Sequence, residues 1–356
     1  MRNIIKYLAI IILGGTSASS GNILPPDIES MEAAAKYSMS AGGQTMVVMY
    51  DGKIIFERYD NGGSPERLQM LASGSKSFVG IVAVAAVEDG YIKLDDKVSD
   101  VIEEWREDPL KSQITYRQLL NLTSGLTTSE RGVTSLFPSW KDIVAKPMTG
   151  KPGQQFEYGG YSLNAFAYAL ELKMRKETFE NYLKRRILDP LGIKLEWRFR
   201  CADGNPQVAG GAFMTARDWA KFGELVRLGG KIGDKQLINS KILMECFQGS
   251  EQNQAYGLTW WLKKPVTSNL IGRLAIISWG GVANSPKLPD DLVAACGAGK
   301  QRLYVISSLK LVIVRQGNLS RKFNDVDFLK ILLKQKETGE SMGKKETKQV
   351  VFLGGE

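Results

Sequence analysis

One stretch constrains the fold more than any other. Residues Leu71 to Gly90 end in a run, Phe78 to Val87, with no charged or polar side chain. A helix apolar on every side has to be enclosed by the rest of the protein. Asp89-Gly90 supplies the turn pair that ends it. At its start stand Ser73 and Lys76, three residues apart and therefore on one helical face. The N-terminus of a helix carries free N–H groups and the positive end of the dipole, a setting that favours an oxyanion. A serine hydroxyl becomes nucleophilic only when a neighbouring base takes its proton. Lysine serves as that base when desolvation or a second cation brings its pKa down from about 10.4.

The same Ser-x-x-Lys spacing recurs at Ser307 to Lys310 and at Ser341 to Lys344. The first copy lies between two apolar runs and reads as a hairpin turn, and the second lies in a charged tail. Only Ser73 leads into a buried helix. A plainer role for Ser73, an N-cap beside a solvated lysine, competes with the catalytic one at this point. The chain has no histidine. That removes Ser-His-Asp and Cys-His hydrolases, histidine-ligated zinc and histidine proton shuttles. Acid–base work falls to Lys, Tyr, Asp or Glu, and a Ser/Lys/Tyr hydrolase is one of the few nucleophilic designs left.

With 356 residues and 43% apolar content the chain buries a large core. Its formal charge of +9 is spread without a long basic cluster, which argues for no nucleic-acid partner. Met1 to Lys6 is a basic segment, Tyr7 to Leu13 a short apolar core, and Ser17-Ala18-Ser19 a small-residue cleavage region. Residues 1–20 therefore read as a signal peptide and the expected location is periplasmic or secreted. No stretch reaches the roughly 20 apolar residues of a membrane span, so no stable membrane insertion is expected. Cys201, Cys246 and Cys296 lack Cys-x-x-Cys spacing. At most one disulfide is expected, with no metal site and no cofactor. Cys246 reads as a buried helix residue.

In chain order, Gln44 to Tyr50, Asp51-Gly52 and Lys53 to Tyr59 read as a β-hairpin. Residues 102–187 read as mostly helical, with Leu119-Leu120, Phe166 to Leu170 and Phe179 to Ile187 at packing spacing. Ala209 to Asp218 reads as a loop followed by a helix capped by Thr215. Trp260 to Leu262, Leu292 to Cys296, Leu303 to Ile306 and Leu311 to Arg315 read as strands, and Asn324 to Leu333 as a last helix. The expected fold is a two-domain α/β protein: an antiparallel sheet flanked by helices (21–100 and 195–335) and an inserted, mostly helical domain (101–194), with a polar tail at 336–356. Ser73 is expected at the seam.

These residues resemble the serine β-lactamase and penicillin-binding-protein-like superfamily, in particular its class C and carboxylesterase-like branch. Ile114 to Leu126 resembles the family's threonine-serine-glycine-leucine segment. Leu94-Asp95-Asp96, Asp189 to Gly192, Gly210 to Asp218 and Tyr256-Gly257-Leu258 follow in the family's order. The resemblance covers about residues 30 to 335 and implies a β-lactamase/transpeptidase-like fold, with Ser73 as nucleophile. It implies Tyr158 as the tyrosine of the second motif, where Gly160 stands in place of the usual asparagine and Asn164 is the nearest substitute. The third motif falls at Ala295-Cys296-Gly297, without its usual cation. The resemblance implies that the amides of Ser73 and Ala298 form the oxyanion hole. Tyr158 and Lys76 are expected to share deprotonation of Ser73. With only one evident cation beside the tyrosine, either Lys76 is itself the neutral base or Lys300 or Arg302 approaches. A small-molecule ester or amide is the first expected substrate. D-amino-acid peptidase or carboxypeptidase activity, β-lactamase activity and a catalytically inactive recognition role are the alternatives, and the oligomeric state is left open.

Overall fold

A computed structural model describes residues 23–128, 137–266, 279–320 and 322–334. The leader at 1–20, the tail at 336–356 and the Ser341 copy of the motif lie outside the described residues.

The chain begins with helix α1 (Ile28–Ser40), capped by Asp27, whose side chain accepts from the Ser30 N–H. The hairpin β1 (Gly43–Tyr50) and β2 (Lys53–Tyr59) follows as expected. Asp51 and Gly52 both take positive φ, 46° and 79°, the backbone of a primed turn that suits twisted strands. After β3 (Gln69–Met70) and a 3₁₀ turn over Ala72–Ser75 comes α2 (Lys76–Glu88), buried from Lys76 through Ala86. At its end the Tyr91 N–H reaches the Ala86 carbonyl and the Gly90 N–H the Val87 carbonyl, with Gly90 at φ 77°. This is the double C-terminal bond that a left-handed glycine permits.

Residues 98–113 hold three 3₁₀ turns rather than regular helix. They lead to α3 (Tyr116–Leu120), α4 (Trp140–Ala145), α5 (Tyr161–Met174) and α6 (Phe179–Leu183), then a π-helical turn at Lys184–Leu188 and the single turn α7 (Asp189–Leu191). The region expected to be mostly helical is thus helix in short pieces. Leu122 at φ 62° follows α3 directly and stops it.

The rest of the chain returns to the sheet. It comprises β4 (Glu196–Trp197), β5 (Ala212–Met214), α8 (Ala216–Arg227) capped by Thr215, β6 (Lys231–Ile232), β7 (Lys235–Gln236) and α9 (Ser240–Leu243). Then come β8 (Trp261–Leu262), α10 (Gly280–Ala283), β9 (Val293–Gly297), β10 (Gln301–Ile306), β11 (Leu311–Gly317) and α11 (Asp325–Leu332) capped by Asn324. The Ser307 copy of the motif forms the β10–β11 turn, with Lys310 at φ 55°.

The main sheet has the order β2-β1-β11-β10-β9-β8 and is antiparallel throughout. Both ends of the chain build it, as the strand pattern predicts. Alternate residues face opposite layers. Leu303 and Val312 meet Gly223 of α8 on one face, whereas Arg302 and Tyr304 meet Asp325 of α11 on the other. Two small additions escaped the sequence, a three-stranded sheet β3-β5-β4 and the hairpin β6-β7. Their strands of two or three residues are too short to show a period.

All three cysteines are free and buried. Cys246 lies in a 3₁₀ turn, Met244–Phe247, rather than an α-helix, and its sulfur faces the Gly80 carbonyl at 3.5 Å.

Candidate active site

The turn that carries Ser73 is held on both sides. Leu71 N–H donates to the Ala212 carbonyl of β5 at 2.9 Å. Ser75 Oγ donates to the Ala72 carbonyl at 2.6 Å and accepts from the Ala212 N–H at 3.1 Å. Ala72 sits at φ 48°, a left-handed conformation costly for a residue with a Cβ. That kink turns Ser73 out of the regular helix, so it remains partly exposed while its neighbours are buried.

Neither the 3₁₀ turn nor α2 is capped by a side chain, which removes the plain N-cap role for Ser73. Its Oγ instead accepts from Lys76 Nζ at 3.1 Å. Lys76 Nζ also donates to the Ala209 carbonyl at 2.8 Å and lies 4.9 Å from the centroid of the Tyr158 ring. The side chain is enclosed and, among the described residues, has no carboxylate partner. Burial therefore pulls the ammonium down to about 7. At neutral pH a large share of Lys76 is free amine within reach of the serine proton.

Tyr158 completes the cluster. Its ring packs against Phe156, Tyr256 and Trp261, with centroids 6.4, 6.0 and 5.5 Å away. The Oη is enclosed and, among the described residues, has no hydrogen-bond partner of good geometry. Burial pushes the phenol well above its ordinary pKa, while the nearby Ser73 hydroxyl and, through space, the Arg302 charge pull the other way. The two expected base candidates are thus shifted in opposite directions relative to their ordinary values, both by desolvation. The ammonium is destabilised and the phenol is kept protonated.

Neither Lys300 nor Arg302 bonds to Tyr158. Both are turned to Asp325, whose Oδ2 accepts from Lys300 Nζ at 3.4 Å and whose Oδ1 accepts from Arg302 Nε at 2.5 Å. The expectation that one of them approaches the tyrosine directly is corrected to a through-space influence of Arg302 alone.

Gly160 is the N-cap residue of α5 and offers Lys76 no side chain. Asn164 lies one turn further along and is fully buried, but neither its Nδ2 nor its Oδ1 has a hydrogen-bond partner. The expected substitution of the missing asparagine by a bond from Asn164 to Lys76 is absent from the structure. The Ala209 carbonyl supplies that contact instead, a backbone group that no motif in the sequence marks.

The third motif lies on β9. Ala295 is buried and pairs with Leu303, so no cation occupies the position. Gly297 is pressed against the turn that carries Ser73: a Cβ there would stand 2.0 Å from the Leu71 carbonyl oxygen and 3.0 Å from the Gly74 nitrogen. Only glycine lets the strand come this close. The contact brings the turn that starts at Ala298 against the turn that carries Ser73. No backbone acceptor takes the N–H of either residue among the described residues.

Comparison with known proteins bears on the fold and the family. "Protein flp" of Staphylococcus aureus (strain MW2) is 25% identical over 169 residues, 43% of this chain. The match spans 34% of that relative's own length. The crystal structure of a putative β-lactamase from Bacteroides dorei DSM 17855 superimposes with a TM-score of 0.69 at 16% identity, covering 86% of this chain and 97% of that one. A D-stereospecific amidohydrolase from Streptomyces sp. superimposes with a TM-score of 0.66 at 15% identity, covering 86% and 98%. These likenesses are of fold. The Beta-lactamase family model matches residues 29–314, which takes in the turn that carries Ser73, the short helices α3 to α7 and most of the closing strands, and the chain belongs to that family.

Proposed function

We propose that the chain is an exported serine hydrolase that forms an acyl-enzyme on Ser73, with Lys76 as the base, and that its substrates are esters or amides. The observation that carries the reading is the buried Lys76 amine 3.1 Å from Ser73 Oγ, with its pKa lowered to about 7.

In this reading neutral Lys76 takes the Ser73 proton as Oγ attacks the substrate carbonyl carbon. The developing oxyanion accepts from the N–H groups of Ser73 and Ala298, donors worth roughly 3 to 4 kcal/mol each in related chemistry. The bond to the leaving oxygen or nitrogen then breaks, and that atom takes the proton held by Lys76, with the Tyr158 phenol as relay. Water attacks the acyl group by the reverse route, returning the serine proton and releasing an acid. The high pKa of the phenol suits a proton carrier and disfavours a phenolate base.

Two further features support ester or amide substrates over β-lactams. Ala295 leaves the strand without the cation that a β-lactam carboxylate uses in the resembling family. A D-stereospecific amidohydrolase shares the fold. Residues 1–20, read as a signal peptide, support export.

Intact-mass spectrometry after incubation with a panel of short-chain esters, anilides and nitrocefin tests the proposal. Expected are an acyl adduct and turnover with the esters or anilides, both absent in Ser73→Ala. Turnover of nitrocefin alone would move the reading to a β-lactamase, and no adduct with any of them would leave a recognition role.

A further inference from the structure

The family's usual strand cation is missing at Ala295, yet a buried cation on the next strand touches the end of β9 two residues further on, at the Gly297 carbonyl. Arg302 stands on β10 directly opposite Cys296 and is 1% exposed. Its Nη1 donates to the Gly297 carbonyl at 3.1 Å and to the Gln301 carbonyl at 2.9 Å. The Gly297 carbonyl belongs to the same peptide unit as the Ala298 N–H. The guanidinium is held in turn by Asp325 of α11, through Nε at 2.5 Å and Nη2 at 3.3 Å. Asp325 is itself fixed by Tyr304 Oη at 2.7 Å and Lys300 Nζ at 3.4 Å. The other side of the strand end is fixed by the Gly297 contact with the Leu71 carbonyl.

We propose that Arg302 is a positioning residue for the oxyanion hole: by holding the Gly297 carbonyl it aims the Ala298 N–H at the substrate oxygen and polarises that N–H as a donor. The inference rests on the reading of Ala298 as an oxyanion donor. Two effects follow from the geometry. A hydrogen bond from a charged donor to a peptide carbonyl strengthens the N–H of the same peptide as a donor, because hydrogen bonds in a chain polarise one another. A peptide clamped on both faces also cannot rotate away when charge develops, which is what pre-organisation requires. Because Arg302 is enclosed, it acts through the peptide and does not touch substrate.

The test uses the full-length protein with a p-nitrophenyl ester and phenylboronic acid, whose tetrahedral adduct with a serine mimics the oxyanion. Arg302→Met is expected to lower kcat roughly 10- to 100-fold with KM within about threefold, and to weaken boronate inhibition by a similar factor. Arg302→Lys keeps the charge without the fork and should recover part of both. Since Arg302→Met strands Asp325 as a buried charge without its guanidinium, the double variant Arg302→Met/Asp325→Asn removes that charge while leaving an acceptor for Tyr304 Oη and Lys300 Nζ. The inference is overturned if either folded variant keeps kcat and boronate affinity within threefold of the parent, or if KM alone rises. Wild-type protein that is not acylated at Ser73 would instead overturn the proposed function, so the two failures are distinguishable.

Discussion

Lys76 and Tyr158 show how burial alone assigns roles to two ionisable groups that share one cluster. Desolvation disfavours the charged form of each, which makes the lysine a better base and the tyrosine a worse one. kcat/KM for a short-chain ester should therefore rise with pH through an apparent pKa near 7, as the amine loses its proton. Tyr158→Phe should lower kcat by about 10- to 100-fold while leaving that limb in place, and a limb that vanished in Tyr158→Phe would put the base on the phenol. Asn164 offers a second check. A buried amide with no partner is a liability in the free protein. Asn164→Leu should raise the denaturant midpoint, by about 1 kcal/mol in stability, and leave ester turnover unchanged. A loss of turnover would show that substrate uses the amide. Ser73 and Lys76 were legible in sequence because their spacing and the apolar run after them are local. Tyr158 came only from resemblance. The Ala209 carbonyl and the Arg302 clamp were not legible, because each depends on a strand or loop brought in from far along the chain.

At the level of elements, the turn that carries Ser73 depends on one short side chain that bonds both ways. Ser75 Oγ joins the turn to β5 within a dry region. Ser75→Ala leaves the Ala212 N–H without a partner and should cost about 1 to 3 kcal/mol in urea unfolding, with a fall in kcat from the loosened turn. A variant as stable as the parent would deny the link any role. The glycine in α2 acts differently. Its N–H meets Thr259 Oγ1 at 3.1 Å, and a Cβ at Gly80 would stand 2.2 Å from the Leu258 carbonyl oxygen. The loop before β8 therefore presses on the central helix there. The hairpin at Asp51-Gly52 and the capped helix at Thr215 were readable because turn and cap chemistry lie within four residues. The 3₁₀ and π turns between 98 and 188 were not, since they arise where several short helices compete for one core.

For the molecule as a whole, the enclosed amine couples chemistry to stability. Lys76 has a folded pKa of about 7 against about 10.4 in an unfolded chain. Between those values the unfolded state binds a proton that the native state lacks, so stability rises with pH over that window and the full penalty applies below it. The urea midpoint of the wild type should therefore climb from pH 7 towards pH 10 relative to Lys76→Met, by several kcal/mol at most. Parallel curves would mean that the amine stays charged in the fold.

The strand order carries a consequence for biosynthesis. β1 waits for β11, its neighbour in the middle of the sheet, until about 260 further residues have emerged. Ser73 and Lys76 leave the ribosome about 220 residues ahead of Gly297. A nascent or truncated chain thus holds the hydroxyl and the amine without the strand that would supply the second amide donor, and it exposes an unpaired hairpin edge prone to association. The two parts of the candidate site therefore meet late in synthesis, and the hairpin edge stays open until they do.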